Sequence, residues 1–220
     1  INMDYCVFLF DHKPDFQDLE EPNNETKLFN YQEWLPEGFD CNINYFSLSD
    51  DGSGKANIKE KLINVHASSF EPYQLATALF HKKGAELQQE NMILLLTAYK
   101  DEQEESNKFT WSLADAIDWI RKLKKEQMPN VLGGGNITDS SKTSMLRKLQ
   151  VRKMPWMDRK LINQEEQLPG LTISRKNLAP ETNVRALIQP KTINVIRVGQ
   201  TQGRDYGLFL SFLLDRVNSA

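Results

Sequence analysis

Residues 91–99 read Asn-Met-Ile-Leu-Leu-Leu-Thr-Ala-Tyr, and this apolar run decides the fold class that the sequence predicts. A short and nearly continuous apolar run is typical of a strand buried on both faces. With a strand at this position, strands and helices alternate along the chain in an order rich in strands. We therefore predict an α+β protein with a mostly antiparallel sheet and helices packed on one face.

Further apolar or alternating segments on both sides of that run predict more strands. The predicted strands cover residues 4–10, 42–48, 60–67, 171–176, 184–189 and 193–198. Residues 206–217 are also apolar and are compatible with either a strand or a helix.

The clearest predicted helix covers residues 112–127, where four apolar residues at spacings of 4, 3 and 3 form one stripe. Ser112 and Asp115 predict a capping box at its start. A second helix is predicted over residues 71–89, with Gly84 weakening its second half, and a short basic helix over residues 143–153.

The composition limits the classes of protein to which the chain can belong. With 220 residues and 40% hydrophobic residues, the chain can form either one domain or an acidic subdomain (1–100) and a basic one (101–220). No stretch approaches the roughly 18 apolar residues of a membrane-spanning helix. The two cysteines, Cys6 and Cys41, cannot build a disulfide framework or a four-ligand zinc site. We expect a cytoplasmic protein with no metal or cofactor.

The net charge of −3 hides a strong asymmetry along the chain. Residues 1–120 hold 9 Lys and Arg against 22 Asp and Glu, whereas residues 121–220 hold 18 against 8. Opposite charges in the two halves predict either that the halves dock on each other or that a basic face binds a polyanion.

The basic half contains the candidate nucleic-acid-binding residues. Cations recur through residues 147–160 around Trp156, whose ring could stack on an unpaired base. The preceding glycine run either forms a tight turn or lets the backbone approach the nucleic acid, and its spacing does not fit a phosphate loop. The same cations could instead form a solvated helix face. The predicted residues are Gly133, Gly134, Gly135, Arg147, Lys148, Arg152, Lys153, Trp156, Arg159, Lys160, Arg175 and Lys176.

The three histidines provide few candidates for catalysis. His12, His66 and His81 show no metal-ligand spacing with another His or Cys. His66 lies near Ser68 and Ser69, so a metal-free ribonuclease is one interpretation, and a histidine that ends a strand is the other. We assign no catalytic residue from the sequence.

Four segments in order resemble a known family: the apolar residues 92–96, the helix at 112–127, the turn Val131-Leu-Gly-Gly-Gly-Asn-Ile137, and Leu168-Pro-Gly-Leu-Thr-Ile-Ser-Arg175. They are similar to the RNA-binding subunits of CRISPR surveillance complexes, most of all to the type I-F subunit that holds the 5′ end of the guide RNA. The resemblance covers residues 60–176. It implies a ferredoxin-like (RRM-like) core and a non-catalytic subunit of an antiviral ribonucleoprotein, with RNA and other protein subunits as partners and no small-molecule substrate.

Two alternatives remain open. Met3-Asp-Tyr5 and Gln200-Thr-Gln-Gly-Arg204 resemble segments of the guide-processing endoribonuclease of the same systems. In this alternative the protein is a metal-free endoribonuclease with His66 or His81 as the base. The other alternative is an adaptor or inhibitor whose acidic half binds a protein and which has no nucleic-acid role.

Overall fold

The computed structural model of the chain has two compact units. The structure describes residues 5–12, 16, 19, 41–48, 60–80, 84–133, 137–151, 154–159, 178–199 and 204–219. The first compact unit, which we call the sheet unit, comprises Ile1–Ile63, Asn183–Gln202 and Leu213–Ala220. The second, the helical unit, comprises Asn64–Thr182 and Gly203–Phe212. None of these boundaries falls at residue 100.

The sheet unit contains one four-stranded sheet in the order β1-β4-β2-β3. Its strands are β1 (Cys6–Asp11), β2 (Asn42–Ser47), β3 (Glu60–Leu62) and β4 (Thr192–Arg197). Every strand pair is parallel. The strands β1, β2 and β4 are in register, so their last residues, Asp11, Ser47 and Arg197, form one row across the carboxyl edge.

The parallel sheet shows that the predicted antiparallel, ferredoxin-like sheet is wrong: the described strands form an α/β arrangement. Antiparallel neighbours can be joined by short hairpins, whereas parallel neighbours need long connections that return the chain to the same edge. Here the neighbours β2 and β3 are joined through residues 48–59. The other consecutive strands, β1 to β2 and β3 to β4, are not neighbours in the sheet and are joined through residues 12–41 and 63–191. Apolar patterning locates strands but does not determine the direction in which they pair.

The helical unit holds most of the helices. These are α1 (Pro72–Leu79), α2 (Glu86–Glu105), α3 (Leu113–Lys122), α4 (Asp139–Val151) and the first part of α5 (Arg204–Asn218). The strand predicted at residues 91–99 is wrong, because this run lies inside α2. Met92, Leu95, Leu96 and Tyr99 are buried at helical spacing, while Leu94 between them is 41% exposed. Periodicity cannot separate a short buried strand from a helix segment in a run that is apolar throughout.

Local backbone signals explain the other helix ends. The one helix predicted over residues 71–89 is two helices: α1 ends at Leu79, and Gly84, with φ +86°, lies just before the start of α2. The capping box is confirmed: the Ser112 hydroxyl accepts a hydrogen bond from the Asp115 amide, and the Ser112 amide donates one to the Asp115 carboxylate. The helix it starts, α3, ends at Lys122, earlier than predicted.

Three further predictions concern the C-terminal third. Residues 184–189, predicted as a strand, contain the 3-10 turn Val184–Leu187, so that prediction is wrong. Residues 206–217, which were compatible with either a strand or a helix, lie in the helix α5. The strand predicted at residues 171–176 lies outside the described residues.

The core of the helical unit is centred on aromatic rings. Trp156 is fully buried, and its ring centroid lies 6.1 Å from that of Phe70 and 5.7 Å from that of Phe209. Phe70 in turn lies 5.7 Å from Phe212. Edge-to-face pairs at such distances add to the stabilisation from burial. None of the helices in the described ranges has the length and hydrophobicity needed to cross a membrane.

Candidate functional site

Two neighbouring elements of the helical unit carry several exposed cations. One is the carboxyl end of α3 with the residues that follow it, and the other is α4. Residues 121–125 and 142–148 contain cations and no carboxylate. We call the exposed members the basic surface: Arg121, Lys122, Lys124, Lys125, Arg147 and Lys148.

Lys142 joins the two elements. Its Nζ donates hydrogen bonds to the carbonyl oxygens of Arg121, at 3.1 Å, and Leu123, at 2.7 Å. These carbonyls lie at the end of α3, where helical backbone acceptors have no partner within the helix. Burial lowers the pKa of Lys142, and nearby Asp139 partly opposes that shift. Lys142 therefore caps α3 and keeps the first turns of α4 beside the α3 cations.

Some members of the basic surface make contacts within the unit. Arg121 forms an ion pair with Asp118 at 2.7 Å. Lys148 donates a hydrogen bond to the Gln88 side chain and lies 5.9 Å from the centre of the Phe80 ring. Among the described residues, no partner is found for Lys122 or Arg147. These two exposed cations are available to an external anion.

The nucleic-acid-binding residues predicted from the sequence lie in different environments. Arg147 and Lys148 lie on the basic surface, and Gly133 is exposed with φ +58° and open space where a Cβ would point. The buried Trp156 has no ring face that a base could stack on. Arg159 is half-buried, and its backbone amide donates to the Asn64 side chain at 2.8 Å. Seven residues lie outside the described ranges, namely Gly134, Gly135, Arg152, Lys153, Lys160, Arg175 and Lys176.

The binding residues predicted from the sequence do not include the cations at the end of α3 and just after it. Lys122, Lys124 and Lys125 were explained by the helix dipole, which favours cations at a carboxyl end. Only the link through Lys142 shows that they lie beside α4. A single lysine that can reach back to the end of the preceding helix is a weak sequence signal. The sequence therefore did not indicate that these cations lie beside α4.

His66 belongs to a hydrogen-bonded cluster instead of a His–Ser pair. Its Nε2 lies 2.8 Å from the Ala179 carbonyl oxygen, and its backbone amide donates to the Glu181 carboxylate at 3.0 Å. The Ser69 hydroxyl also donates to that carboxylate. A hydroxyl bonded to Glu181 is not positioned by the imidazole, so this geometry lends no support to a His66 ribonuclease. His81 lies outside the described residues.

Asp158 lies beside this cluster and has an unusual environment. Burial raises the pKa of Asp158 to about 6, although hydrogen bonds from the Leu113 and Ala67 amides and the charge of His66 lower it in part. The two amides lie 2.7 and 2.9 Å from different carboxylate oxygens. Because both oxygens accept backbone amides, Asp158 ties the start of α3 to the 3-10 turn Ala67–Ser69.

The carboxyl edge of the sheet is the place where open parallel sheets bind ligands. A shallow depression there is lined by Asp11, Phe16, Tyr45, Phe46, Glu60, Val195 and Arg197. Arg197 pairs with Glu60 at 3.2 Å, and the Asp11 carboxylate accepts the Phe16 amide at 3.4 Å. With two carboxylates and one guanidinium, this depression does not attract a polyanion. No group of three or more potential metal ligands occurs among the described residues.

The fold and surfaces define a protein with a parallel α/β sheet unit and a helical unit that carries a basic surface. Comparison with known proteins finds no family model, no curated protein and no solved structure that matches the chain. The resemblance to CRISPR subunits therefore stays a prediction based on its short motifs, and the ferredoxin-like core it implied is wrong.

Proposed function

We propose that this protein binds RNA without cleaving it, through the basic surface of the helical unit. The observation that carries the proposal is the concentration of exposed cations on two linked elements, in stretches without a carboxylate, in a chain with a net charge of −3. Phosphate neutralisation by such cations supplies most of the affinity in non-specific nucleic-acid binding.

The motif resemblance supports RNA over other polyanions, and it supports the finer proposal of a guide-RNA-binding subunit in a CRISPR-type complex with protein partners. The hydrogen bond from Ser69 to Glu181 leaves the pairing of His66 with the Ser69 hydroxyl, on which the ribonuclease alternative depends, without support. In this proposal the buried Trp156 has no part, and affinity comes from phosphate contacts.

The test replaces Lys122, Lys124, Lys125 and Arg147 by Gln and measures binding of a labelled single-stranded RNA at several salt concentrations. We expect weaker binding, and a salt slope smaller by up to about 3, since each lost phosphate contact removes roughly 0.7 from the slope. The matched control replaces four exposed cations elsewhere, Lys61, Lys108, Arg185 and Lys191, and changes the net charge equally. Equal losses in both variants, or no binding by wild type at low salt, would refute the proposal.

The finer proposal has its own measurement. RNA that remains bound after purification from the native cells is recovered and sequenced. A guide-binding subunit retains RNAs of uniform length with a shared 5′ segment. Heterogeneous RNA without a shared segment would contradict the CRISPR assignment while leaving RNA binding intact.

A further inference from the structure

We propose that the solvent-facing side of α2 docks a basic, amphipathic helix of a partner protein. This inference does not depend on RNA binding, since it concerns a different surface of the helical unit. We call the surface the acidic face: Leu87, Glu90, Leu94, Asp101, Glu104 and Glu105, all exposed.

The positions of these residues place them along one side of the helix. Their spacings of 3, 4 and 7 residues are those of neighbours on a helical surface. The buried residues of α2, from Met92 to Tyr99, lie on the opposite side. Leu87 is 69% and Leu94 41% exposed, and the two lie one heptad apart, about 10 Å along the axis. Two leucines at this spacing form the apolar seam that a second helix would pack against.

The charges on this side are not paired within the part of the chain that the structure describes. Among the described residues, no ion pair involves Glu90, Asp101, Glu104 or Glu105. The last turn of α2 contains no basic residue, although the helix dipole disfavours anions at a carboxyl end. Side chains that lower the stability of a helix end are expected at places where a function requires them.

The carboxyl end of α2 has a regular backbone conformation, so the backbone that carries these carboxylates is well defined. Asn107 has φ +54° and its amide donates to the Glu104 carbonyl at 2.9 Å, while the Lys108 amide donates to the Gln103 carbonyl at 2.8 Å. This pair of bonds is a Schellman motif, with Asn in the left-handed position. The carboxylates therefore extend from a regular helix that stops at a set residue.

Charge complementarity identifies the occupant. A nucleic acid or an anionic lipid surface would be repelled by the carboxylates of the acidic face. A helix with apolar residues one heptad apart, flanked by Lys and Arg, would cover both leucines and neutralise the carboxylates. The acidic face therefore fits a cationic amphipathic helix.

The probe is a labelled synthetic helix with Leu at two positions one heptad apart and Lys at the flanking positions, titrated with the full chain. We expect Leu87→Asn with Leu94→Asn to weaken binding about tenfold or more, because central apolar anchors dominate helix docking. Glu104→Gln with Glu105→Gln is expected to weaken binding severalfold and reduce its salt dependence. The matched control, Tyr73→Asn with Phe109→Asn, removes two exposed aromatic side chains outside α2 and should bind as wild type.

A second peptide with Asn in place of both Leu residues, at the same charge, separates docking from general attraction. Equal binding of the two peptides, or equal losses in the control variant, would overturn the proposal. Self-association of the wild-type chain in sedimentation velocity, lost in the leucine variant, would also overturn it, since a second copy would then occupy the face. RNA affinity should be the same in wild type and the leucine variant.

Discussion

The sheet unit and the helical unit differ in how well their elements follow from sequence patterns. In the sheet unit, the predicted strands at residues 4–10, 42–48 and 193–198 match β1, β2 and β4 to within two residues. In the helical unit, the strongest apolar run of the chain was assigned to the wrong element. The helical unit shows that an apolar stretch within a longer helix imitates a strand. The sheet unit has one exception of its own, since residues 184–189 are predicted as a strand and contain a 3-10 turn.

Asn194 in the sheet unit and Asp158 in the helical unit form hydrogen bonds of different kinds. In the sheet unit, the buried Asn194 donates to the Leu187 carbonyl at 3.0 Å and accepts from the Asn44 side chain at 3.1 Å. In the helical unit, Asp158 accepts two backbone amides from separate segments. Asn194 thus makes neutral hydrogen bonds to a backbone carbonyl and to a side-chain amide, whereas Asp158 is a carboxylate with a raised pKa.

The largest expected effect lies in the core of the helical unit. Trp156→Ala removes a fully buried ring that packs against Phe70 and Phe209, and it should lower the free energy of unfolding by about 3–5 kcal/mol. Denaturant titration followed by circular dichroism measures this loss. The control Phe109→Ala removes a 69% exposed ring and should change the free energy by less than about 0.5 kcal/mol. A small effect of Trp156→Ala would mean that the ring is on the surface, as a base-stacking role requires.

The next effect concerns the pH dependence that Asp158 imposes on the helical unit. Its pKa of about 6 in the folded protein exceeds the ordinary value of 3.8, so the folded state binds the proton more tightly than the unfolded state. The stability due to this group is therefore present in acid and is lost as the pH rises from about 4 to about 6.

Asp158→Asn removes this titration. Urea titration gives the free energies of unfolding of wild type and of the variant at each pH. The value for wild type minus that for the variant should fall by about 2 kcal/mol as the pH rises from about 4 to about 6. Other titrating groups cancel in the difference. A difference that stays constant or increases with pH would show that the carboxyl is not buried in this way.

The smallest of the three effects tests the polar network of the sheet unit. Asn194→Ala leaves the Leu187 carbonyl and the Asn44 amide without this partner, and should lower the free energy of unfolding by about 1–2 kcal/mol. The control Asn42→Ala, at an exposed position of β2, should be nearly neutral in the same denaturant titration. Similar losses from both substitutions would remove the distinction between the buried and exposed amides of the sheet.

Part of the candidate site could be predicted from the sequence. Cation density identified Arg147 and Lys148, and both are exposed. Trp156 was included because aromatic residues among cations often contact bases, but its burial depends on Phe70 and Phe209, which are distant in sequence. The lysines after α3 were omitted because their proximity to α4 depends on the hydrogen bonds of Lys142.

The sequence by itself determined the properties that depend on near neighbours. These are the three main strands, the capping box at Ser112 and the separation of charge along the chain. Only the tertiary structure decided the parallel direction of the sheet, the helical state of residues 91–99 and the burial of Trp156. The reason is physical: hydrogen bonding within a turn and periodicity within a segment are local, whereas strand direction and burial depend on segments that meet only when the chain has folded.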